Sequence, residues 1–219
     1  MPSLSPRKAP GDRRRDVETP KRKDVRRHAT RERLLSAARS LFFSQNYFEL
    51  SIDDIAKAAG LSRAAFYLHY PDKEAILVDI VREGSSKLDV VYRWFGTDHN
   101  PTKSKIGEFV RLVVRVSRRS RLQLTLFYRA ASYNADIWQT FALSRDRHIS
   151  MLGDSIPAFR ISPTARGPRE KQRVAQAHLL FYQLEQLSLY AAFAENIFDA
   201  ECEVELLVEA IASFIKDFS

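Results

Sequence analysis

Arg63 and Tyr67 lie four residues apart in the stretch SRAAFYLHYPDK, so a helix through them puts a guanidinium and a phenol on one face, one turn apart. A guanidinium can donate two parallel hydrogen bonds to guanine O6 and N7. Ala64 can offer only apolar contact, for instance to a thymine methyl. Tyr67 can reach a base edge or a phosphate, and Ser62, which can cap the helix, joins the same set. This is the chemistry of recognition. Nothing in the chain matches the spacing of catalysis. The five histidines (28, 69, 99, 148 and 178) lack metal-ligand spacing, and no Glu-x-x-His, glycine-rich phosphate loop or nucleophile motif occurs. No enzyme activity, metal or cofactor is expected.

These residues must be held by something, and the segment Ser51–Lys73 supplies it. Ser51 and Asp54 have the spacing of a capping box at the start of a first helix. Ile55 and Ala59 share its inner face, and Ala56 is small enough for another helix to approach. Gly60 falls where a left-handed residue ends a helix. Leu61 then turns inward and Ser62 opens a second helix. Phe66 faces the core, with Arg63, Ala64 and Tyr67 outward. Pro71 ends this helix and Asp72 caps the next. Two helices joined so closely leave the second largely open, which is what major-groove reading requires.

The N-terminal helix TRERLLSAARSLFFSQNYFEL and the segment SIDDIAKAAGLSRAAFYLHYPDKEAIL together resemble the TetR family of transcriptional regulators. The resemblance covers roughly residues 30–77. It rests on the Ile-Ala pair, the glycine turn, the FYLHY block and the Lys-Glu pair holding together at fixed offsets. It implies phosphate contacts from Ser51, Tyr67, His69 and Lys73, the last at a helix N-terminus whose free N–H groups attract anions. It also implies dimerisation through the last two helices and a second domain whose small-molecule ligand alters the spacing of two reading helices. The function it implies is a ligand-released repressor on a palindromic double-stranded DNA operator. The alternative is a constitutive DNA-binding protein without an effector.

The charge is unevenly distributed. Residues 1–33 hold 12 Lys+Arg against 5 Asp+Glu, while the other 186 residues hold 23 against 22. Residues 1–28 read as a basic disordered tail from their prolines and charges. Arg26, Arg27, Arg31 and Arg33 could then reach phosphates or a minor groove. No stretch resembles a signal peptide, none approaches ~18 apolar residues, and the single cysteine is Cys202. A cytoplasmic protein without membrane contact is expected.

The fold class expected is all-α, with about nine helices. Residues 29–75 form a helix-turn-helix DNA-binding domain and 76–219 a ligand-binding and dimerisation domain. The helices are expected at about 30–45, the pair above, 72–95, 104–119, one through LQLTLFYRA, 134–152, 169–198 and 201–218. Loops are expected at 96–103 and 153–168. Aromatic density suggests a pocket among Trp94, Phe109, Phe127, Tyr128, Tyr133, Trp138, Phe141, Phe181 and Tyr182, with Gln123, His178 and Gln183 as polar anchors. The row Arg111, Arg115, Arg118 and Arg119 could hold an acidic or CoA-linked ligand at its mouth. The expected effector is thus small and apolar or acidic, such as an acyl-CoA or an aromatic compound. The last two helices carry broad apolar stripes, and Leu184, Leu187, Tyr190, Ala191, Leu207, Ile211 and Phe214 are the expected homodimer contacts.

Overall fold

The computed structural model describes residues 20–132, 135–193 and 200–219. Residues 1–19 of the expected tail, Tyr133 and the end of the helix expected at 169–198 lie outside them. The described residues form helices and connecting turns, with no strand.

Helix α1 (Pro20–Ser44) begins ten residues before the expected start. Pro20 takes the first helical position, where its missing N–H costs nothing. The Lys, Arg and Asp residues that read as tail are ordinary helix formers. Thr30 does not cap: its hydroxyl donates to the Arg26 carbonyl one turn back, at 2.9 Å, inside the helix. Helix α2 (Ile52–Ala58) opens on the expected capping box. Ser51 Oγ accepts from Asp54 N at 3.2 Å and Asp54 Oδ2 accepts from Ser51 N at 2.9 Å. It closes at Gly60, whose φ is +65°. Leu61 N donates to Ala56 O at 2.9 Å and Gly60 N to Lys57 O at 3.0 Å, the paired bonds of a left-handed helix end. Helix α3 (Arg63–Tyr67) is a single turn and a half, capped by Ser62 Oγ accepting from Ala65 N at 3.1 Å.

Helix α4 (Lys73–Phe95) starts on Asp72, whose carboxylate accepts from Ala75 N at 2.7 Å. At ~1.5 Å per residue it is about 34 Å long. Helices α5 (Lys103–Arg119), α6 (Arg121–Ala131), α7 (Ala135–Gly153), α8 (Pro168–Phe193) and α9 (Ala200–Phe218) follow. The segment between α7 and α8 is more than a loop. It carries a 3-10 turn (Pro157–Phe159) that buries Ala158 and Phe159.

Side chains gather into two cores. The first joins Leu34, Leu35, Ala38 and Phe42 of α1 to Ile55, Phe66 and Tyr70, to Ile76, Leu77 and Ile80 of α4, and to Leu126, Phe127, Ala130 and Ala131 of α6 and Ile137 of α7. The second holds Val91, Tyr92 and Phe95 at the far end of α4, with α5, the end of α7, α8 and α9. The head formed by α1–α3 is therefore seated on α6 as well as on α4. Arg31 to Asp79 and Arg39 to Glu83 tie α1 to α4 across the surface.

Candidate nucleic-acid interface and effector cavity

The outer face of α3 is open. Arg63, Ala64 and Tyr67 are exposed, Phe66 is fully buried, and Leu68 stands 75% exposed just beyond the helix. Arg63 is not a loose side chain. Its Nη1 donates to Asp53 Oδ2 at 2.8 Å, its Nη2 to the Tyr67 hydroxyl at 3.2 Å, and its guanidinium lies 5.6 Å from the Tyr67 ring centre. Asp53 comes from the first turn of α2 and was not foreseen. Its ten-residue separation from Arg63 follows no helical period, so only the α2–α3 turn brings them together. The Tyr67 hydroxyl and the Asp53 carboxylate each hold the Arg63 proton more firmly than water does.

Other expected contacts are already engaged within the chain. Ser51 Oγ bonds Asp54 Oδ2 at 2.6 Å, and those bonds hold the Asp54 carboxyl below its usual range. Lys73 is the clearest departure. Its Nζ donates to the Tyr47 and Leu50 carbonyls at 2.8 and 2.9 Å, sits 4.4 Å from the Tyr47 ring centre, and burial lowers its pKa. It fastens the α1–α2 connection. Its position at the start of α4 suggested a phosphate ligand, but the α1–α2 connection turns its carbonyls onto the Lys73 ammonium. His69 is half-buried; burial, then Arg27 and Arg31, push its pKa down, so it stays neutral at pH 7. Ser62 is exposed and uses its oxygen as a cap, with its O–H still able to donate.

The basic residues divide in two. Arg26 and Arg27 are exposed on the extended start of α1. Arg33, expected to reach outward, turns in: its Nη2 donates to the Ala59 and Gly60 carbonyls at 2.7 and 3.2 Å, capping the end of α2. Arg31 is likewise spent on Asp79 and the Tyr70 ring.

Between the two cores lies a cavity of about 340 Å³. Val81, Leu88 and Tyr92 of α4, Val113 of α5, Phe127 and Tyr128 of α6, Phe141 and His148 of α7, and Leu184 and Ser188 of α8 line it. Of the expected pocket residues, Phe127, Tyr128, Phe141 and Gln123 are on its wall. The other described ones are elsewhere, because aromatic density marks core and surface as readily as a cavity. Phe109 stacks on Phe95 at 4.2 Å within the second core, and Phe181 is buried there. Trp94 lies under Lys105, and Trp138 is exposed against the edge of Phe127. Tyr182 lies on the surface beneath Arg145, Gln183 is exposed, and His178 Nε2 is 3.4 Å from Asp146 Oδ1. None of Arg111, Arg115, Arg118 and Arg119 lines the cavity, and Arg111 pairs with Glu201.

The polar wall of the cavity leaves no mark in the sequence, because its partners are far apart along the chain. His148 Nε2–H donates to Asp89 Oδ1 at 3.0 Å, and Arg147 Nη1 to Asp89 Oδ2 at 2.8 Å. Burial outweighs the Asp89 carboxylate and pushes the His148 pKa down to about 4. Arg145 grips Glu185 with two bonds, of 2.9 and 2.7 Å, while burial raises the Glu185 pKa. Among the described residues no group of three or more His, Cys, Asp and Glu could hold a metal, and no helix is long and apolar enough to cross a membrane.

The expected dimer contacts need correction. Leu184, Leu187, Leu207, Ile211 and Phe214 are buried in the protomer's own second core. Tyr190 is exposed and Ala191 half-buried. The outward apolar residues of α8 are Leu179, Tyr182, Tyr190 and Phe193; Leu206 of α9 is 67% exposed. Stripes on both sides of α8 blurred the distinction between self and partner.

Residues 34–80 match the family model described as bacterial regulatory proteins, tetR family. An HTH-type transcriptional regulator EthR of Mycolicibacterium smegmatis is 42% identical over 48 residues, 22% of each chain. That of Mycobacterium tuberculosis is 28% identical over 115 residues, 49% of this chain and 52% of its own. The chain thus spans about half the length, or less, of these curated relatives. Solved structures extend the likeness in fold. One from Mesorhizobium loti, assigned to the TetR family, aligns with a TM-score of 0.61 at 17% identity, covering 88% of this chain and 98% of its own. A TetR-family regulator from Streptomyces coelicolor aligns with a TM-score of 0.60 at 17% identity over 87% and 88%. Residues 34–80, the capped helix-turn-helix, thus match the TetR family of bacterial regulatory proteins, and the all-helical second core shares the fold of those solved structures.

Proposed function

We propose that this protein is a DNA-binding transcriptional repressor that sits as a homodimer on a palindromic operator and leaves it when a small molecule fills the cavity. In this reading residues 29–75 read DNA, and residues 76–219 bind the ligand and dimerise. Arg63, Ala64 and Tyr67 face base edges. Ser62, Arg26, Arg27 and the neutral His69 serve phosphates, and Ser51 and Lys73 do so only by giving up bonds they now make. Leu179, Tyr182, Tyr190, Phe193 and Leu206 meet the same face of a second copy.

Phe127 carries the reading. It is almost wholly buried in the core that seats the head, and the same ring lines the cavity. A ligand pressing on Phe127 pushes α6 against α1 and α4. Close-packed interiors transmit such a displacement instead of absorbing it. Two heads must meet half-sites about 34–36 Å apart, so a small rotation of one head releases it. A selection of random duplexes by the full chain, followed by sequencing, tests the DNA half. A two-fold symmetric site with half-sites one turn apart is expected, and an asymmetric or absent site refutes it. A ligand that occupies the cavity without weakening that site leaves a constitutive DNA-binding protein.

A further inference from the structure

The cavity's wall has a chemistry of its own, and the ligand class drawn from it rests on the cavity being the effector site. Every described cation lining the cavity already holds a carboxylate. Arg145 is two-pronged on Glu185, Arg147 bonds Asp89 at 2.8 Å, and Arg82 bonds Asp79 at 3.2 Å. His148 is neutral and also bonded to Asp89. At the buried Arg145 and His148 an anionic ligand would have to strand a carboxylate, an exchange that low-dielectric surroundings penalise, and at Arg82 and Arg147 a carboxylate already offsets the charge it would seek. The apolar walls are flat. Tyr92 stacks on His148 with ring centres 4.1 Å apart, and Phe127 on Phe141 at 4.8 Å.

Among the described residues one buried side-chain polar atom on this wall is unserved. Ser188 is 5% exposed, lies on the α8 face that lines the cavity, and its Oγ has no hydrogen-bond partner. A helical serine commonly donates to the carbonyl four residues back, and this one does not. A buried hydroxyl left without a partner is a free-energy cost that an incoming acceptor removes.

We propose that the cavity takes an uncharged aromatic ligand whose carbonyl or ether oxygen accepts a hydrogen bond from Ser188 Oγ, and that it rejects carboxylates and acyl-CoA thioesters. The volume, about 340 Å³, is at the small end of the ~300–1,000 Å³ range of ligand pockets and suits two aromatic rings.

Three probes of nearly one shape separate the contributions: benzophenone, diphenylmethane, which lacks the carbonyl, and 4-benzoylbenzoate, which adds a charge. Each is titrated into the full chain by calorimetry, and the two ketones are photo-crosslinked and mapped by mass spectrometry. Benzophenone should bind most tightly and label α4, α6 or α8 residues of the cavity. Ser188→Ala should weaken benzophenone about 3- to 10-fold, the worth of one net hydrogen bond, and leave diphenylmethane unchanged. Ser188→Cys, a weak donor of similar volume, should give the same pattern if the alanine variant fails to fold. Tighter binding of 4-benzoylbenzoate, or equal losses for benzophenone and diphenylmethane, overturns the ligand class, and labels in the cavity would then leave the cavity reading standing. If no probe binds or labels the cavity, the cavity reading falls and this inference with it.

Discussion

Replacing Arg63 by alanine separates reading from folding. In the free head the guanidinium is held by Asp53 and the Tyr67 hydroxyl, at 2.8 and 3.2 Å. Both ion-pair partners are more than half exposed, at 57% and 58% of their side chains, so water and salt screen the pair and the fold loses little without it. On DNA the loss is larger. Each guanidinium nitrogen bonded here still carries another N–H, so Arg63 can keep Asp53 and reach guanine O6 and N7 together. Losing a bidentate guanine contact reduces discrimination at that base pair by about 5- to 150-fold in each half-site. Fluorescence anisotropy on the selected operator and on single-base variants reads this directly, with thermal denaturation alongside. Discrimination should collapse at one position per half-site, with the melting temperature unchanged. If every sequence weakens equally, and the log–log salt slope falls by about 0.9 per head, Arg63 is a phosphate contact and the assignment is refuted.

Three other perturbations probe the turn, the cavity wall and the outward face of α9. Gly60→Ala should destabilise the protein by about 1–2 kcal/mol in urea denaturation, since the backbone is left-handed there and the new Cβ would lie 3.0 Å from Arg33 Nη2. An unchanged midpoint would show that the turn tolerates a side chain. The buried His148, with its pKa lowered to about 4 from 6.5, binds its proton more weakly in the folded state. Its neutral-state contribution is complete above pH 6.5 and is lost as pH falls toward 4, by up to about 3 kcal/mol. Stability of the wild type should therefore fall more steeply over that window than stability of His148→Gln, and equal slopes would contradict this. Leu206→Glu, on the outward face of α9, should convert a dimer to a monomer in analytical ultracentrifugation; a persistent dimer would place the interface elsewhere.

What was legible in the sequence was local. The Ser51–Asp54 box, the Gly60 turn, the Ser62 and Asp72 caps and the burial of Phe66 depend on neighbours within a few residues, and all are present as expected. What was not legible depends on distant partners. Lys73 finds its carbonyls 23 and 26 residues upstream, Asp89 meets His148 across 59 residues, and Arg33 reaches the end of α2. Composition misled at the start of α1, where the same charges suit a tail or a solvated helix. On α8 the apolar residues surround the axis, so Leu184 and Leu187 read like Tyr190 although the first two are buried and the third is exposed. Ser188 gave no signal, because a serine without a partner is visible only once its surroundings are known.

The coupling of cavity to head through Phe127 is tested most directly by measuring operator affinity with the cavity empty and with it filled. The occupant should be a compound shown by crosslinking to sit against α6, added at saturation to the full chain. The account predicts that filling weakens operator binding by at least about tenfold, and that operator DNA weakens ligand binding by the same factor. An operator affinity that is identical with the cavity empty and filled would contradict it.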